Sequence, residues 1–293
     1  MRRTPLGSLK MRFNRRRRLS VLSILGWVAT VPSVLAAQAP SNVLVANGEW
    51  QRSPKATAVQ CGLEAHIEGA SDLQLAISGI PGQDRAIVSV LGNAPRIGPS
   101  NRSMDAQLIV FPSGERFTSS MTRVFNPMTR ETSLVLSELP DRFLESFATG
   151  NAVNVELDGR SNFQIRYSGA RQAVTEVAEC QTRLLREWGL DAKQIASLKQ
   201  KPRPIEPSRV FSGADYPIEA LQEGEQGDVV IGFTVDVDGR AKDCSTIVSS
   251  GSSALDRQSC RLLMQRAKFL PALDESGKQI PVRVPQVVRW AFM

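Results

Sequence analysis

The chain has 293 residues, enough for one or two domains, and a formal net charge of +7 at pH 7. A basic balance of this kind is typical of nucleic-acid-binding proteins, but residues 1–39 hold eight Arg and Lys residues and no Asp or Glu. The rest of the chain is therefore close to neutral, and we predict no nucleic-acid partner.

The N-terminus has the plan of a secretory signal peptide, which we place at residues 1–37. Basic residues ending in Arg15–Arg18 precede an apolar run, Leu19–Ala37, that closes on small residues. Cleavage after Ala36 or Ala37 would release the rest of the chain as an exported protein. The alternative is an uncleaved anchor, because the run is just long enough to span a bilayer. Membrane contact is expected only in that case.

Residues 45–190 are predicted to form a β-rich domain of unknown function. Short runs with strand-like composition are separated by Gly, Pro, Asn and Asp, a pattern typical of an antiparallel sandwich or barrel. The predicted strands are Ala58–Ile67, Leu73–Ser78, Ala86–Leu91, Gln107–Phe111, Phe117–Val124, Thr132–Leu136, Val153–Leu157 and Phe163–Tyr167.

The apolar period changes after this sandwich-like region. Ala173, Val177, Cys180, Leu184 and Trp188 recur every three or four residues and predict a helix that ends at Gly189 and lies across the sheet. Another short helix is predicted within Leu139–Phe147. Residues 191–214 follow as a Pro-containing linker, whose prolines favour an extended, semi-rigid path.

Residues 215–293 predict the order helix, strand, turn, strand, helix, strand. The first strand alternates apolar residues from Val229 to Val237, and Asp238-Gly239 predicts a two-residue hairpin turn. The later elements are a return strand at Ala241–Val248, a helix that begins near Ser253 with Asp256 as its capping partner, and a closing strand at Ile280–Phe292.

The four cysteines of an exported chain predict two disulfides. Cys244 lies on the return strand and Cys260 on the helix expected to pack against it, which favours a local Cys244–Cys260 bond. Cys61 and Cys180 would then join the start of the β-rich domain to its end. Other pairings, free thiols or a zinc site are the alternatives, although one histidine and no Cys-x-x-Cys motif make a poor zinc ligand set.

No combination of residues predicts catalysis. The single histidine, His66, lies on a predicted strand, and no nucleophile-elbow motif is present. Asp236 and Asp238 begin like a calcium loop, but too few oxygen ligands follow, so a turn is expected instead. We predict that the chain is not an enzyme and binds no cofactor or metal.

The motifs of the last stretch resemble, in order and spacing, the C-terminal domain of the TonB energy transducers. They are Tyr216-Pro217, Ala220, Gly227-Asp228-Val229, Phe233–Gly239, Ser249-Ser250-Gly251, Leu255-Asp256 and Phe269-Leu270-Pro271-Ala272. The resemblance covers about a quarter of the chain. It implies an α+β fold in which a three-stranded antiparallel sheet carries helices.

The resemblance also implies a binding site. In the family, the last strand region pairs with a short peptide at the N-terminus of outer-membrane receptors. Pro281 and Pro285 have no N–H to donate, so the candidate partner-binding edge strand begins after them. Its residues are Gln286, Val287, Val288, Arg289, Trp290, Ala291 and Phe292.

Two functions are consistent with these features. One is an exported TonB-like protein of the bacterial periplasm or envelope that binds partner proteins, such as outer-membrane receptor peptides, in TonB-linked transport across the outer membrane. The other is an envelope scaffolding or assembly protein without energy transduction. The first is our prediction. The second is the alternative, because Leu19–Ala37 has no His, through which family transducers contact a proton-driven motor. The predicted location is the periplasm, or the inner membrane if the N-terminal segment stays uncleaved.

Overall fold

A computed structural model describes residues 43–53, 59–83, 85–94, 102–125 and 130–292. The predicted signal peptide, residues 1–37, lies outside the described residues. Within the described ranges, the helices are all too short or too polar to cross a membrane.

The first described region is one large, curled sheet in which neighbouring strands run antiparallel, except that the first and last strands of the region pair in parallel. Its strands are β1 (Val43–Val45), β2 (Gln51–Arg52), β3 (Cys61–Ile67), β4 (Ala70–Gly79), β5 (Ala86–Leu91), β6 (Ser103–Phe111), β7 (Glu115–Phe125), β8 (Thr132–Leu139), β9 (Ala152–Leu157) and β10 (Arg160–Arg166). Their spatial order is β1-β10-β9-β6-β7-β8-β5-β4-β3-β2. Each of the eight strands predicted for this region overlaps an observed one.

The curl brings the two ends of this sheet together. Ala46, directly after β1, bridges Ile67 at the end of β3, and the Asn47 N–H donates to the His66 carbonyl at 2.9 Å. The structure therefore differs from the predicted sandwich-like arrangement, because a single sheet bends round its own core instead of facing a second sheet.

Two helices, α1 (Asp141–Thr149) and α2 (Ala170–Glu187), share the core of the curled sheet. Phe143 and Phe147 of α1 are fully buried, and Phe147 stacks on Tyr167 with ring centroids 4.0 Å apart. Burial raises the pKa of the Tyr167 hydroxyl. These side chains fill the space that a second sheet would occupy in a sandwich, which is the physical reason for the difference.

The second region is built on a three-stranded antiparallel sheet in the order β13-β12-β17, as the resemblance implies. Its elements are α3 (Ala192–Ala196), β11 (Arg203–Ile205), α4 (Ile218–Gln222), β12 (Gly227–Val235), β13 (Ala241–Val248), α5 (Ser253–Arg266), β14 (Lys268–Leu270), β15 (Ala272–Leu273), β16 (Gln279–Ile280) and β17 (Val282–Trp290). Helix α5 packs against β12 and β13 and buries Leu255, Leu262 and Leu263.

Residues 191–214 have more order than a Pro-containing linker predicts. Helix α3 lies there, Ile195 and Val210 are buried in the second core, and β11 pairs with β14. The prolines do fix an extended backbone. At Arg203–Ile205, however, this extended segment pairs with β14 and does not lie free in solvent.

Two local predictions are corrected. The hairpin between β12 and β13 is longer than two residues, because Gly239 takes a positive φ of 74° whereas Asp238 does not, and the Gly239 N–H donates to the Asp236 carbonyl at 3.0 Å. The cap of α5 is Ser252 instead of Ser253, since the Ser252 hydroxyl accepts from the Leu255 N–H.

The C-terminal end of α2 joins the two cores. Trp188 packs against both of them, and Leu185 belongs to the second core although its helix lies in the first region. Residues 38–293 accordingly cluster as one compact unit. The two regions are therefore held against each other by shared apolar side chains.

Both predicted disulfides are present. Cys244 and Cys260 join β13 to α5, with Cα atoms 5.7 Å apart. Cys61 and Cys180 join β3 to α2, with Cα atoms 5.9 Å apart. Each bond therefore fixes a helix on the sheet that it covers, one bond in each region.

Replacing both Cys244 and Cys260 by Ser is expected to lower the free energy of unfolding by about 3 kcal/mol, because the bond joins residues 16 apart in sequence. Urea unfolding of the oxidised wild type and the variant measures the difference. The matched control is the Cys61→Ser/Cys180→Ser variant, whose sequence separation of 119 predicts a larger loss, about 5 kcal/mol. An unchanged midpoint in the first variant would contradict the expectation.

Candidate functional site

The candidate edge strand lies at the outer side of the second sheet. All nine residues of β17 pair with β12, from Val282 opposite Val235 to Trp290 opposite Gly227. Because β17 is the last strand in the order β13-β12-β17, its other side faces away from the sheet. An antiparallel strand in this position turns the N–H and C=O of alternate residues outwards.

The outward residues can be assigned from one side-chain contact. The Gln286 amide donates to the Val287 carbonyl at 2.8 Å, so that carbonyl points away from β12. Residues two apart share the same side, which makes Arg283, Pro285, Val287 and Arg289 the outward set. Pro285 therefore sits where its missing N–H costs no bond to β12.

Part of this edge is covered by the first region. The turn between β4 and β5 approaches so closely that a Cβ on Gly82 would lie 2.7 Å from Cδ of Pro285. Beside it, the Gln83 amide donates to Oε1 of Gln286 at 3.5 Å. The open part of the edge therefore begins at Val287.

The opposite edge of the same sheet is irregular. The register of β13 against β12 shifts twice, and Asp243 has a positive φ of 52°. Arg283 reaches across the sheet and donates to the Asp243 carbonyl at 2.9 Å and to Ser245 Oγ at 2.6 Å. Bulges of this kind distort the spacing that an added strand requires, so β17 is the better edge for pairing.

The end of β17 is anchored by aromatic contacts. Trp290 is buried, and its indole N–H donates to Ser259 Oγ on α5 at 2.9 Å. Tyr216 packs edge-on against Trp290 at 5.2 Å and stacks on Phe292 at 5.3 Å. Phe292 remains 44% exposed, so an apolar surface continues beyond the last paired residue.

One ion pair holds the register of the open part. The Arg289 guanidinium donates two hydrogen bonds to Asp228, the residue opposite it on β12, at 2.8 and 3.0 Å. These bonds to the carboxylate raise the pKa of Arg289. The pair fixes the Arg289 side chain on the face of the sheet and leaves the outward backbone of that residue uncovered.

The comparisons with known proteins concern this region. The family model described as Gram-negative bacterial TonB protein C-terminal matches residues 212–292. Residues 212–292 form a TonB C-terminal domain. A solution NMR structure of the TonB C-terminal domain of Pseudomonas aeruginosa is 23% identical, covering 31% of this chain and 86% of that chain, with a TM-score of 0.24. Among the curated proteins, no match was found.

The predicted edge residues differ in what they present within the TonB C-terminal domain. Val287 and Arg289 direct backbone groups outwards, Val288 and Trp290 are buried, and Ala291 and Phe292 follow the end of the strand. The Gln286 side chain occupies the edge itself. The sequence did not reveal the covering turn at Gly82, because nothing in a local Pro-Gly turn signals its distant partner.

The residues considered for chemistry lie apart from this edge. His66 is exposed on β3, and Asp236 belongs to the hairpin turn, where Lys242 lies 2.8 Å from its carboxylate. Bonds from Lys242 and the turn backbone lower the pKa of Asp236. Within the described ranges, no three His, Cys, Asp or Glu side chains come together as metal ligands.

Asp215 ties the segment before Tyr216 to α5. The Arg266 guanidinium donates two hydrogen bonds to its carboxylate, both 2.8 Å long, and Ser212 donates from its N–H and its hydroxyl at 2.9 and 2.7 Å. These donors, Arg266 foremost, lower the pKa of Asp215 to about 2. Because Tyr216 carries the aromatic contacts at the end of β17, this ion pair supports the site.

The stabilisation from Asp215 should depend on pH in a defined window. It is complete above the unfolded-state pKa of 3.8 and is lost as the pH falls towards the folded pKa of about 2. We expect the unfolding midpoint of Asp215→Asn to change less over this window than that of the wild type, as measured by thermal unfolding. Arg266→Gln, which removes the main donor to Asp215, should reduce the pH dependence of the unfolding midpoint in the same way. Parallel curves for all three proteins would contradict the expectation.

Proposed function

We propose that this chain is an exported TonB-like protein of the bacterial envelope that binds an extended segment of a partner protein at the outer edge of β17. The observation that carries the proposal is the regular, outward-facing backbone of β17, which offers the Val287 N–H and the Arg289 backbone, while the Val287 carbonyl already accepts from the Gln286 amide. Main-chain hydrogen bonds to such an edge supply affinity, and side-chain contacts supply specificity.

The surroundings of the edge indicate which segment fits. A strand added beside β17 would place alternate side chains next to Arg289 on one face of the sheet and next to the Tyr216–Phe292 stack on the other. Because the open edge is short, the backbone bonds are few, at about 1 kcal/mol net each. Contact with the exposed part of Phe292 therefore adds affinity, and the segment carries an apolar residue at that position.

Export is supported by the signal-like N-terminus and by the two disulfides, which persist in oxidising compartments. We place the protein in the periplasm. The partner segment would come from an outer-membrane receptor, and the role would be transport across the outer membrane. The TonB C-terminal domain at residues 212–292 supports that role.

A second candidate is envelope scaffolding without energy transduction. It is favoured by the packing of Trp188 against both cores and by the folded elements within residues 191–214. This arrangement draws the TonB C-terminal domain close to the β-rich region, whereas a transducer uses a long spacer to cross the periplasm.

The Val287→Pro variant tests the edge. It removes an outward N–H and leaves the bonds between β12 and β17 in place, as Pro285 already does two residues earlier. Binding of synthetic N-terminal segments of outer-membrane receptors, measured by fluorescence polarisation, should weaken about tenfold through the lost bond and the bulk of the ring. The matched control is Val287→Thr, which keeps the N–H and should bind like the wild type. Equal binding by both variants, with unchanged unfolding midpoints, would exclude the edge.

The fate of the N-terminus separates the two candidates. We expect N-terminal sequencing of the protein from fractionated cells to find a mature start after Ala36 or Ala37 in the periplasmic fraction. That result is compatible with partner binding at the edge and favours the candidate without energy transduction. An intact N-terminus in the inner-membrane fraction would instead support coupling to a motor and contradict cleavage. The two results are distinguished in a single preparation.

A further inference from the structure

A cleft of about 610 Å³ lies between the curled sheet and the TonB C-terminal domain. One wall is the stretch from Leu198 to Pro207, and the other is the turn at Gly82 and Gln83 with its neighbours. Val284, Pro285 and Gln286 of β17 line the cleft, whereas the residues of the edge from Val287 onwards do not. Its volume falls within the range of specific ligand sites.

The floor of the cleft is apolar. Phe233 and Phe269 line it with ring centroids 5.3 Å apart, and both rings are largely buried by the second core. Half-buried Pro202 and Pro204 continue this surface along one wall. Because the two rings are already buried, an occupant gains by placing an apolar side chain against the half-buried prolines beside them.

The rim of the cleft is basic. Among its described lining residues the one acid is Glu138, and Arg85 neutralises it with an ion pair at 2.6 Å. Lys199 and Arg203 are exposed on the opposite wall, and within the described ranges neither has a carboxylate within 4.0 Å. Their charges attract an anionic group.

These cations stand on a wall whose backbone is held in place. Gln200, next to Lys199, exchanges two backbone hydrogen bonds with Leu273, at 2.9 and 3.2 Å. Arg203 begins β11 and pairs with Leu270 of β14. The basic groups are therefore presented from a fixed strand-like segment, and little backbone order has to be acquired on binding.

We propose that this cleft is a second binding site, which takes an acidic, extended peptide segment of a partner protein. Its carboxylates pair with Lys199 and Arg203, and an apolar side chain rests on Pro202 and Pro204. The chain's own N-terminal segment does not fit, because residues 1–39 are basic and contain no acid.

The cleft is independent of the proposed edge. The edge uses outward backbone groups from Val287 onwards, whereas the cleft uses the side chains of Lys199 and Arg203. Loss of one site therefore leaves the other in place, and the Val287→Pro variant should still bind an acidic peptide in the cleft.

The test uses the protein purified from the cell envelope and a fluorescein-labelled peptide of alternating Asp and Phe. We expect saturable binding that weakens as salt is added, and no binding of the matching peptide of Lys and Phe. The Lys199→Glu/Arg203→Glu variant should lose about tenfold in affinity or more, because two attractions become repulsions. The matched control, Arg171→Glu/Lys193→Glu, makes the same change in net charge at residues outside the cleft lining and should bind like the wild type.

Three results would overturn the proposal. One is equal weakening by both double variants with wild-type unfolding midpoints, since net charge alone would then explain binding. Another is full displacement of the peptide by inorganic phosphate at the same concentration as the peptide, which would mean that only a free anion is recognised. The last is loss of acidic-peptide binding in Val287→Pro, which would place the peptide on the edge instead.

Discussion

The pairing of β17 with β12 determines what the second region can present to a partner. Nine continuous residue pairs fix the register, and the register decides that Val287 and Arg289 turn their backbone groups away from the sheet. The Arg289–Asp228 ion pair and the Trp290 bond to Ser259 hold the same register from both faces. A shift of one residue would turn Val287 towards β12 and bring Pro285 into the ladder, where it has no N–H to donate.

The β-rich region changes the setting of this edge. Its turn at Gly82 and Gln83 reaches Pro285 and Gln286, which shortens the open edge and creates the basic cleft beside it. This contact is possible because Trp188 and Leu185 at the end of α2 draw the two cores together. The β-rich region thus covers part of the β17 edge and also contributes residues to the cleft beside that edge.

Much of the local structure follows from patterns in the sequence. Strand-like composition between turn residues places eight of the ten described strands of the first region, and the period of Ala173, Val177 and Leu184 places α2. The sandwich-like arrangement was not borne out, because the curl depends on how Phe143 and Phe147 fill the core, and strand patterns do not encode the curvature of a sheet. The sequence does not reveal the ordered structure of residues 191–214, because extended Pro-rich backbone is equally suited to solvent and to strand pairing, as in β11 with β14.

The sequence by itself determined most of the elements and the resemblance of residues 215–293 to the TonB C-terminal domain, and it favoured the observed cysteine pairs, since each rests on periodicity, local spacing or ordered motifs. Tertiary structure alone decided which residues of the candidate edge are open. The cover at Pro285, the side chain of Gln286 over its own strand and the basic cleft at Lys199 all arise between residues far apart in the chain. Such contacts depend on how the two cores pack, and no local pattern specifies that packing.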